Sequence, residues 1–329
     1  MNPEAPPSHI DLTNLPSDYL ERRTVLVLRT TEHNARRAES YLRSEYPARA
    51  LLDECHRFIF FDLVDSARGD WNSLRRVWFF PWLEVQRDID QALSHALFAS
   101  YKALYDCCRR AIEVTLTAVY FTQEHVPAEE ARGWLNSQQD TPMFSRTLEK
   151  LMLNERYRSV AGTCSWRTDL QQFYWRLCNI VHVRGSKASY QVMQPTHMTF
   201  SDVAMPEFTP TSLMDAIDTL VETIRHVATI IAIHNPILLV GLPMFDKFGL
   251  NPPMAGFFEE DQAARLHKLL LPSTVTAIDR LVREDKEVES LTAWVNDKPD
   301  ISRDELDQQF KDQDELLGKH RENGEEDGR

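Results

Sequence analysis

Residues 83–122 read LEVQRDIDQALSHALFASYKALYDCCRRAIEVTLTAVYFT. Apolar side chains recur along this stretch at spacings of three and four residues, which is the period of one face of an α-helix. Charged side chains such as Glu84, Arg87 and Asp88 fall between them and are expected on the exposed side. The pattern predicts one long helix, or two helices in line, at the centre of the molecule.

The remaining sequence favours helices over sheets. Only 10 of the 329 residues are Gly, and folds rich in turns and strands use more glycine than this. One stretch, Thr24–Arg29, is β-branched and favours a short strand. The sequence therefore predicts an all-α fold, a helical bundle with a long central helix. Further helices are predicted at residues 48–66, 169–183, 211–233, 261–271 and 273–282.

Composition divides the chain into five parts. Residues 1–17 are a polar, Pro-rich leader that we expect to be disordered, and residues 18–80 form an N-terminal helical segment. Residues 81–190 are the predicted helical core, on which the helices of residues 191–284 pack. Residues 285–329 form an acidic tail that we expect to be largely disordered, because it is charged and poor in aromatic side chains.

The net charge of −13 excludes a broad nucleic-acid-binding surface. The tail alone, residues 285–329, holds 15 acidic and 7 basic side chains, so the rest of the chain is only mildly acidic. Proteins that coat nucleic acid need Lys and Arg to contact phosphates. Any contact with RNA is therefore expected at a local site.

Cysteine content predicts neither a disulfide framework nor a metal site. The five cysteines are odd in number and have no CxxC spacing, which favours a reducing, cytoplasmic environment. No cofactor-binding motif is present. We therefore expect no metal and no cofactor.

The apolar tract Val227–Phe245 contains no charged residue. A membrane-spanning helix needs about 20 mostly unbroken apolar residues, whereas Pro236 and Pro243 interrupt this tract. The tract therefore predicts a buried helix end followed by a buried turn, and no membrane span.

A cluster of polar side chains follows the aromatic residues Phe173–Trp175. His acts as a general acid or base near neutral pH, and the planar fork of Arg holds phosphate, so metal-free cleavage of RNA needs both. On a straight helix Arg176 and His182 lie about 120° apart and so are not expected to share a face, whereas Asn179 shares a face with His182. An alternative is a His that bonds across a helix interface, with Arg placed by the helix dipole. The candidate residues are Arg176, Asn179, His182, Arg184 and Lys187.

Two short motifs resemble those of the HEPN superfamily. The segment LYDCCRRAIEVTL, residues 104–116, is similar to the helix that carries an arginine followed by a glutamate. The segment RLCNIVH, residues 176–182, resembles the element in which a histidine follows an arginine after a few residues, although Leu177 replaces the expected polar residue. The resemblance covers roughly residues 83–190.

The resemblance implies a helical bundle, a homodimer and a metal-independent ribonuclease of bacterial phage defence or of a toxin–antitoxin system. In such a protein Arg176 and His182 would be the catalytic pair. Glu113 and Arg110, on a facing helix, would orient them. RNA would then be bound at this local site.

Two alternatives stay open. HEPN-like domains without catalytic activity are binding or scaffolding modules, so the chain is alternatively a non-catalytic module that dimerises or holds a protein partner. Arg110 and Glu113 are alternatively paired along their own helix, since Asp106–Arg110 and Arg109–Glu113 are both spaced by four residues.

Overall fold

The computed structural model describes residues 13–66, 79–123, 125–182, 208–249 and 256–326, and this part of the chain is mainly helical. Within those ranges there is no strand, so the predicted all-α fold is confirmed. A π-helical turn, Phe58–Asp62, and a 3-10 turn, Pro236–Leu239, supplement the α-helices. The helices are α1 (Tyr19–Ser44), α2 (Arg49–Arg57), α3 (Phe79–Leu97), α4 (Tyr101–Phe121), α5 (Ala128–Leu135), α6 (Phe144–Leu151), α7 (Glu155–Thr163), α8 (Trp166–Val181), α9 (Pro210–His234), α10 (Met244–Phe248), α11 (Glu260–Leu269), α12 (Val275–Glu284), α13 (Lys286–Asn296) and α14 (Arg303–Glu326).

Helices α3 and α4 form an antiparallel pair where the sequence predicts a long helix or two in line. The chain reverses at Ala99, whose φ is 57°, in the left-handed region. Arg110 bonds to Asp88 across the pair, and Cys107 lies 4.0 Å from Gln91. These contacts are symmetrical about the reversal, as expected for antiparallel neighbours.

Helix α4 packs against α3, α6, α8 and α9. Two-thirds of its residues are buried, because apolar side chains lie on several sides of the helix. Helix α9 is buried almost all round and ends at His234, before the 3-10 turn. The predicted buried helix end and turn are therefore confirmed. In the described part of the chain no helix combines the length and apolarity needed to cross a membrane.

The predicted strand Thr24–Arg29 is instead part of helix α1. Asp18 caps this helix by accepting a hydrogen bond of 2.9 Å from a backbone N–H of the first turn. Leu26, Thr30 and His33 are buried at helical spacing against the bundle. Helix capping and burial on one side therefore outweigh the local β propensity.

Residues 286–296 and 303–326, in the tail expected to be largely disordered, form helices α13 and α14. Asp285 caps α13, and the buried Val288 and Val295 form a small apolar cluster with Ile237 and Leu242. The cluster explains why α13 is ordered despite its charge. Residues 303–315 of α14 are mostly exposed, in keeping with their polar composition.

Candidate functional site

Helix α8 carries the central candidate residues, and its inner side anchors it in the bundle. The helix begins after Ser165, whose hydroxyl donates to Asp169 in the first turn, and a carboxylate at that position favours the helix N-terminus. It ends at His182, whose backbone N–H donates to the Cys178 carbonyl at 2.9 Å. The buried residues are Trp166, Leu170, Phe173, Tyr174, Leu177, Cys178 and Ile180.

The outer side of α8 brings the predicted residues onto one solvent-exposed face. At about 100° per residue, the five side chains of this face lie within about 120° of each other. Arg176 and His182 mark its two edges, about 120° apart as predicted, so they lie on one broad exposed surface without sharing a narrow helix face. We call this surface the outer α8 face. It consists of Gln172, Trp175, Arg176, Asn179 and His182, of which Asn179 is half-buried and the others exposed.

Arg176 is held by helix α9. Its guanidinium forms an ion pair with Glu222 and lies 4.9 Å from the centre of the Phe173 ring. The side chains of Arg176 and Glu222 remain 50% and 39% exposed. Ion pairs this exposed contribute little to stability, so the arginine can exchange its partner for another anion.

His226 lies beneath Arg176 and is excluded from solvent. Its ring stacks on Phe173 at a centroid distance of 4.6 Å, and only 1% of the residue is exposed. Burial lowers the pKa of His226 to about 3, with the Arg176 charge acting in the same direction and Asp169 opposing it. The imidazole is therefore neutral at physiological pH and packs between α8 and α9.

Glu113 and Arg110 do not face the outer α8 face. Glu113 accepts a hydrogen bond from the Tyr174 hydroxyl, which points to the opposite side of α8 from Arg176. Burial and the Glu113 carboxylate together raise the pKa of Tyr174. Glu113 therefore positions an inner tyrosine on the side of α8 opposite to Arg176.

Arg110 belongs to the interface of α3 and α4. It donates to Asp88 at 2.6 and 3.0 Å and to Asp106 at 2.6 Å, and Arg109 pairs with Asp106 and Glu113. The predicted pairs of residues spaced by four are thus both present. Asp88, expected on the exposed side, is instead buried, which raises the pKa of its carboxyl, although the Arg110 guanidinium opposes this effect.

Arg184 and Lys187 lie outside the described residues. Cys178, four residues before His182, is only 4% exposed, so its thiol belongs to the inner side of α8. All five cysteines are free thiols. No group of three or more metal-binding side chains is found among the described residues.

Trp175 and Glu222 are the parts of the site that sequence reasoning missed. Trp175 was detectable, since it precedes Asn179 by four residues and His182 by seven and so shares their face. Glu222 was not, because its pairing with Arg176 depends on how α9 crosses α8.

Comparison with known proteins gives no relative: no protein-family model, no curated protein and no solved structure matches the chain.

Proposed function

We propose that the chain is a HEPN-like, metal-independent ribonuclease, or a ribonuclease-related effector, that acts in bacterial phage defence or in a toxin–antitoxin system. The outer α8 face is its RNA-binding surface in this proposal. The observation that carries it is that Arg176 and His182 are exposed, with the half-buried Asn179 between them, on a helix whose other side is fixed in the core.

His182 would move the proton of the reaction. Its neutral imidazole takes the proton from a ribose 2′-hydroxyl, and the resulting oxygen forms a bond to the adjacent phosphorus. The bond from phosphorus to the 5′-oxygen of the next nucleotide breaks. The imidazolium then returns the proton to that oxygen, leaving a 2′,3′-cyclic phosphate and a 5′-hydroxyl.

Arg176 would stabilise the phosphate, whose negative charge grows as the new bond forms. Among the described residues its carboxylate partner is Glu222, and both side chains are exposed. A phosphate can therefore displace Glu222 at low cost. Asn179, between Arg176 and His182, supplies a neutral hydrogen-bonding group at the same surface.

A non-catalytic binding module is the second candidate, and a specific set of contacts favours it. Arg176, Arg110 and Glu113 each have a partner within the fold, at Glu222, Asp88 and Tyr174 respectively. Three of the four residues that the resemblance assigns to catalysis are thus engaged. In this alternative the outer α8 face binds a protein partner or a second copy of the chain.

Expression in a bacterial host distinguishes the two candidates. A ribonuclease is expected to slow growth, and His182→Ala and Arg176→Ala are each expected to relieve the toxicity at equal protein levels. Equal toxicity of the wild type and both variants would overturn the catalytic proposal. A wild type that is neither toxic nor active on RNA would favour the binding module.

A further inference from the structure

We propose that Trp175 is a base-stacking residue that holds an unpaired nucleobase beside His182. The inference rests on the proposed RNA-cleaving function and adds a residue that the arginine–histidine motif does not assign. It limits the substrates to RNA in which a base next to the cleaved bond is free to stack.

The exposure of Trp175 distinguishes it from the other large aromatic side chains of α8. It is 46% exposed, whereas Trp166, Phe173 and Tyr174 on the same helix are between 0% and 7% exposed. The core therefore fixes the helix without using this indole. Its ring is left accessible on the outer α8 face, about 20° around the helix from His182.

The indole is nevertheless held in place. Tyr174 meets it edge-on, with ring centroids 5.5 Å apart and an interplanar angle of 72°. Tyr174 is itself stacked on Phe144 at 3.7 Å and bonded to Glu113. A ring oriented in advance loses little conformational freedom when it binds, which favours its use as a stacking surface.

The neighbours of Trp175 fit a nucleotide. Arg176 follows it directly, Asn179 lies one helical turn away, and His182 lies two turns and about 10 Å along the axis. Proteins that bind single-stranded nucleic acid combine an aromatic ring for the base with a cation for the backbone. A base stacked on Trp175 thus places an adjacent phosphate within reach of Arg176 and His182.

A protein partner is the competing occupant, since exposed Trp is also common at protein interfaces. Such anchors are normally surrounded by other apolar side chains that exclude water. The rest of the outer α8 face is polar: Gln172, Arg176, Asn179 and His182. This composition favours a base and a phosphate over an apolar protein surface.

The test is binding and cleavage of fluorescently labelled RNA by the full chain and its variants. The substitutions are Trp175→Ala and Trp175→Phe. The matched control is Trp294→Ala. Trp294 lies on helix α13, is 48% exposed and is stacked on Phe248. Probes are a single-stranded RNA, the same RNA with one abasic nucleotide beside the cleaved bond, and an RNA duplex. Circular dichroism and thermal unfolding establish that each variant is folded.

We expect Trp175→Ala to weaken binding of the single strand by about fivefold to a hundredfold, with Trp175→Phe close to the wild type and Trp294→Ala unchanged. The abasic RNA should bind the wild type more weakly than the complete RNA, and this difference should vanish in Trp175→Ala.

Three results would overturn the inference. If Trp175→Ala and Trp294→Ala bind RNA equally well while His182→Ala abolishes cleavage, the proposed function stands and the stacking role fails. If the wild type neither binds nor cleaves RNA, both fail together. If Trp175→Ala changes only the oligomeric state or the capture of a protein, the outer α8 face is a protein interface.

Discussion

At the scale of single residues, Glu222 controls how much positive charge the outer α8 face presents. Its carboxylate neutralises Arg176, and both side chains are exposed to solvent. In the proposed function, a phosphate would have to compete with Glu222 for this guanidinium. If the proposal holds, the affinity for RNA should depend on this carboxylate.

Glu222→Gln should increase RNA affinity by a few-fold, because it removes the competing carboxylate and frees Arg176. Titration of labelled single-stranded RNA at low and high salt measures the effect, which salt should reduce. Glu289→Gln, an equal change of charge at an exposed position of α13, is the control. Equal effects of the two substitutions would show that only net charge matters.

His226 shows how burial sets a charge state. Its folded pKa of about 3 lies below the unfolded value of about 6.5, so the unfolded chain binds more protons between these limits. The stability that the neutral His226 contributes to the fold is thus fully present above about pH 6.5. It is lost as the pH falls toward 3. Asp169 and Arg176 are the charged groups that act on the ring.

His226→Phe should flatten this part of the pH dependence. Between pH 6.5 and 4.5 the wild type should lose on the order of 2 kcal/mol more unfolding free energy than the variant. Urea unfolding at a series of pH values measures the difference, and the slope is informative even if the larger ring changes the absolute stability. Identical slopes would mean that His226 titrates normally in the folded protein.

At the scale of elements, the reversal between α3 and α4 gives the bundle its central pair. It occurs at Phe98–Ser100, with no Gly or Pro to mark it, and Ala99 is both buried and at positive φ. The Ser100 N–H bonds to the His95 carbonyl at 2.8 Å and closes the turn. The lengths of α3 and α4 therefore depend on the backbone conformation of Ala99, which the spacing of apolar residues does not reveal.

Ala99→Val should destabilise the protein by at least about 1 kcal/mol, because a β-branched residue tolerates neither positive φ nor the lack of space. Chemical denaturation measures the change. The control is Ala103→Val, at a half-buried site within α4. A similar small cost at both positions would contradict the reversal at Ala99.

The prediction of elements from sequence succeeded where the apolar pattern was long and clearly bounded. Helix α9, predicted at residues 211–233, is Pro210–His234, since Pro begins it and Asn235-Pro236 follows it. The strand predicted at Thr24–Arg29 was wrong because local β propensity does not report which side of α1 is buried. Within the site, helical spacing gave the shared position of Asn179 and His182. The separation of Arg110 from them depends on long-range packing with Asp88.

At the scale of the whole molecule, one arginine links the C-terminal helices to the bundle. Arg156 on α7 bonds to Asp285 at 2.6 and 3.0 Å, to Glu287 at 2.6 Å and to the His234 carbonyl at 3.0 Å. Burial of Asp285 raises its pKa, but hydrogen bonds from Arg156 and from the N–H of Val288 outweigh this, so the pKa lies below its usual value. The same carboxylate caps α13.

Arg156→Ala should destabilise the protein by about 2 kcal/mol at pH 7, since it leaves the largely buried Asp285 without its partner. The effect should shrink as the pH falls and Asp285 is protonated, because a carboxylate with a lowered pKa stabilises the fold only while it is ionised. Urea unfolding at pH 7 and at acidic pH tests this. Arg158→Ala, at an exposed position on the same helix, should have almost no effect. Equal costs for both variants, or a cost for Arg156→Ala that does not change with pH, would contradict the link through Asp285.

Cleavage of a labelled single-stranded RNA by the purified full-length chain, with His182→Ala compared with His125→Ala, tests the central claim most directly. His125 is exposed outside α8 and is the matched control. We predict that the wild type and His125→Ala cleave the RNA to a 2′,3′-cyclic phosphate, and that His182→Ala loses at least about a hundredfold in rate. Cleavage at the wild-type rate by His182→Ala, or no cleavage by any of the three proteins, would contradict the account.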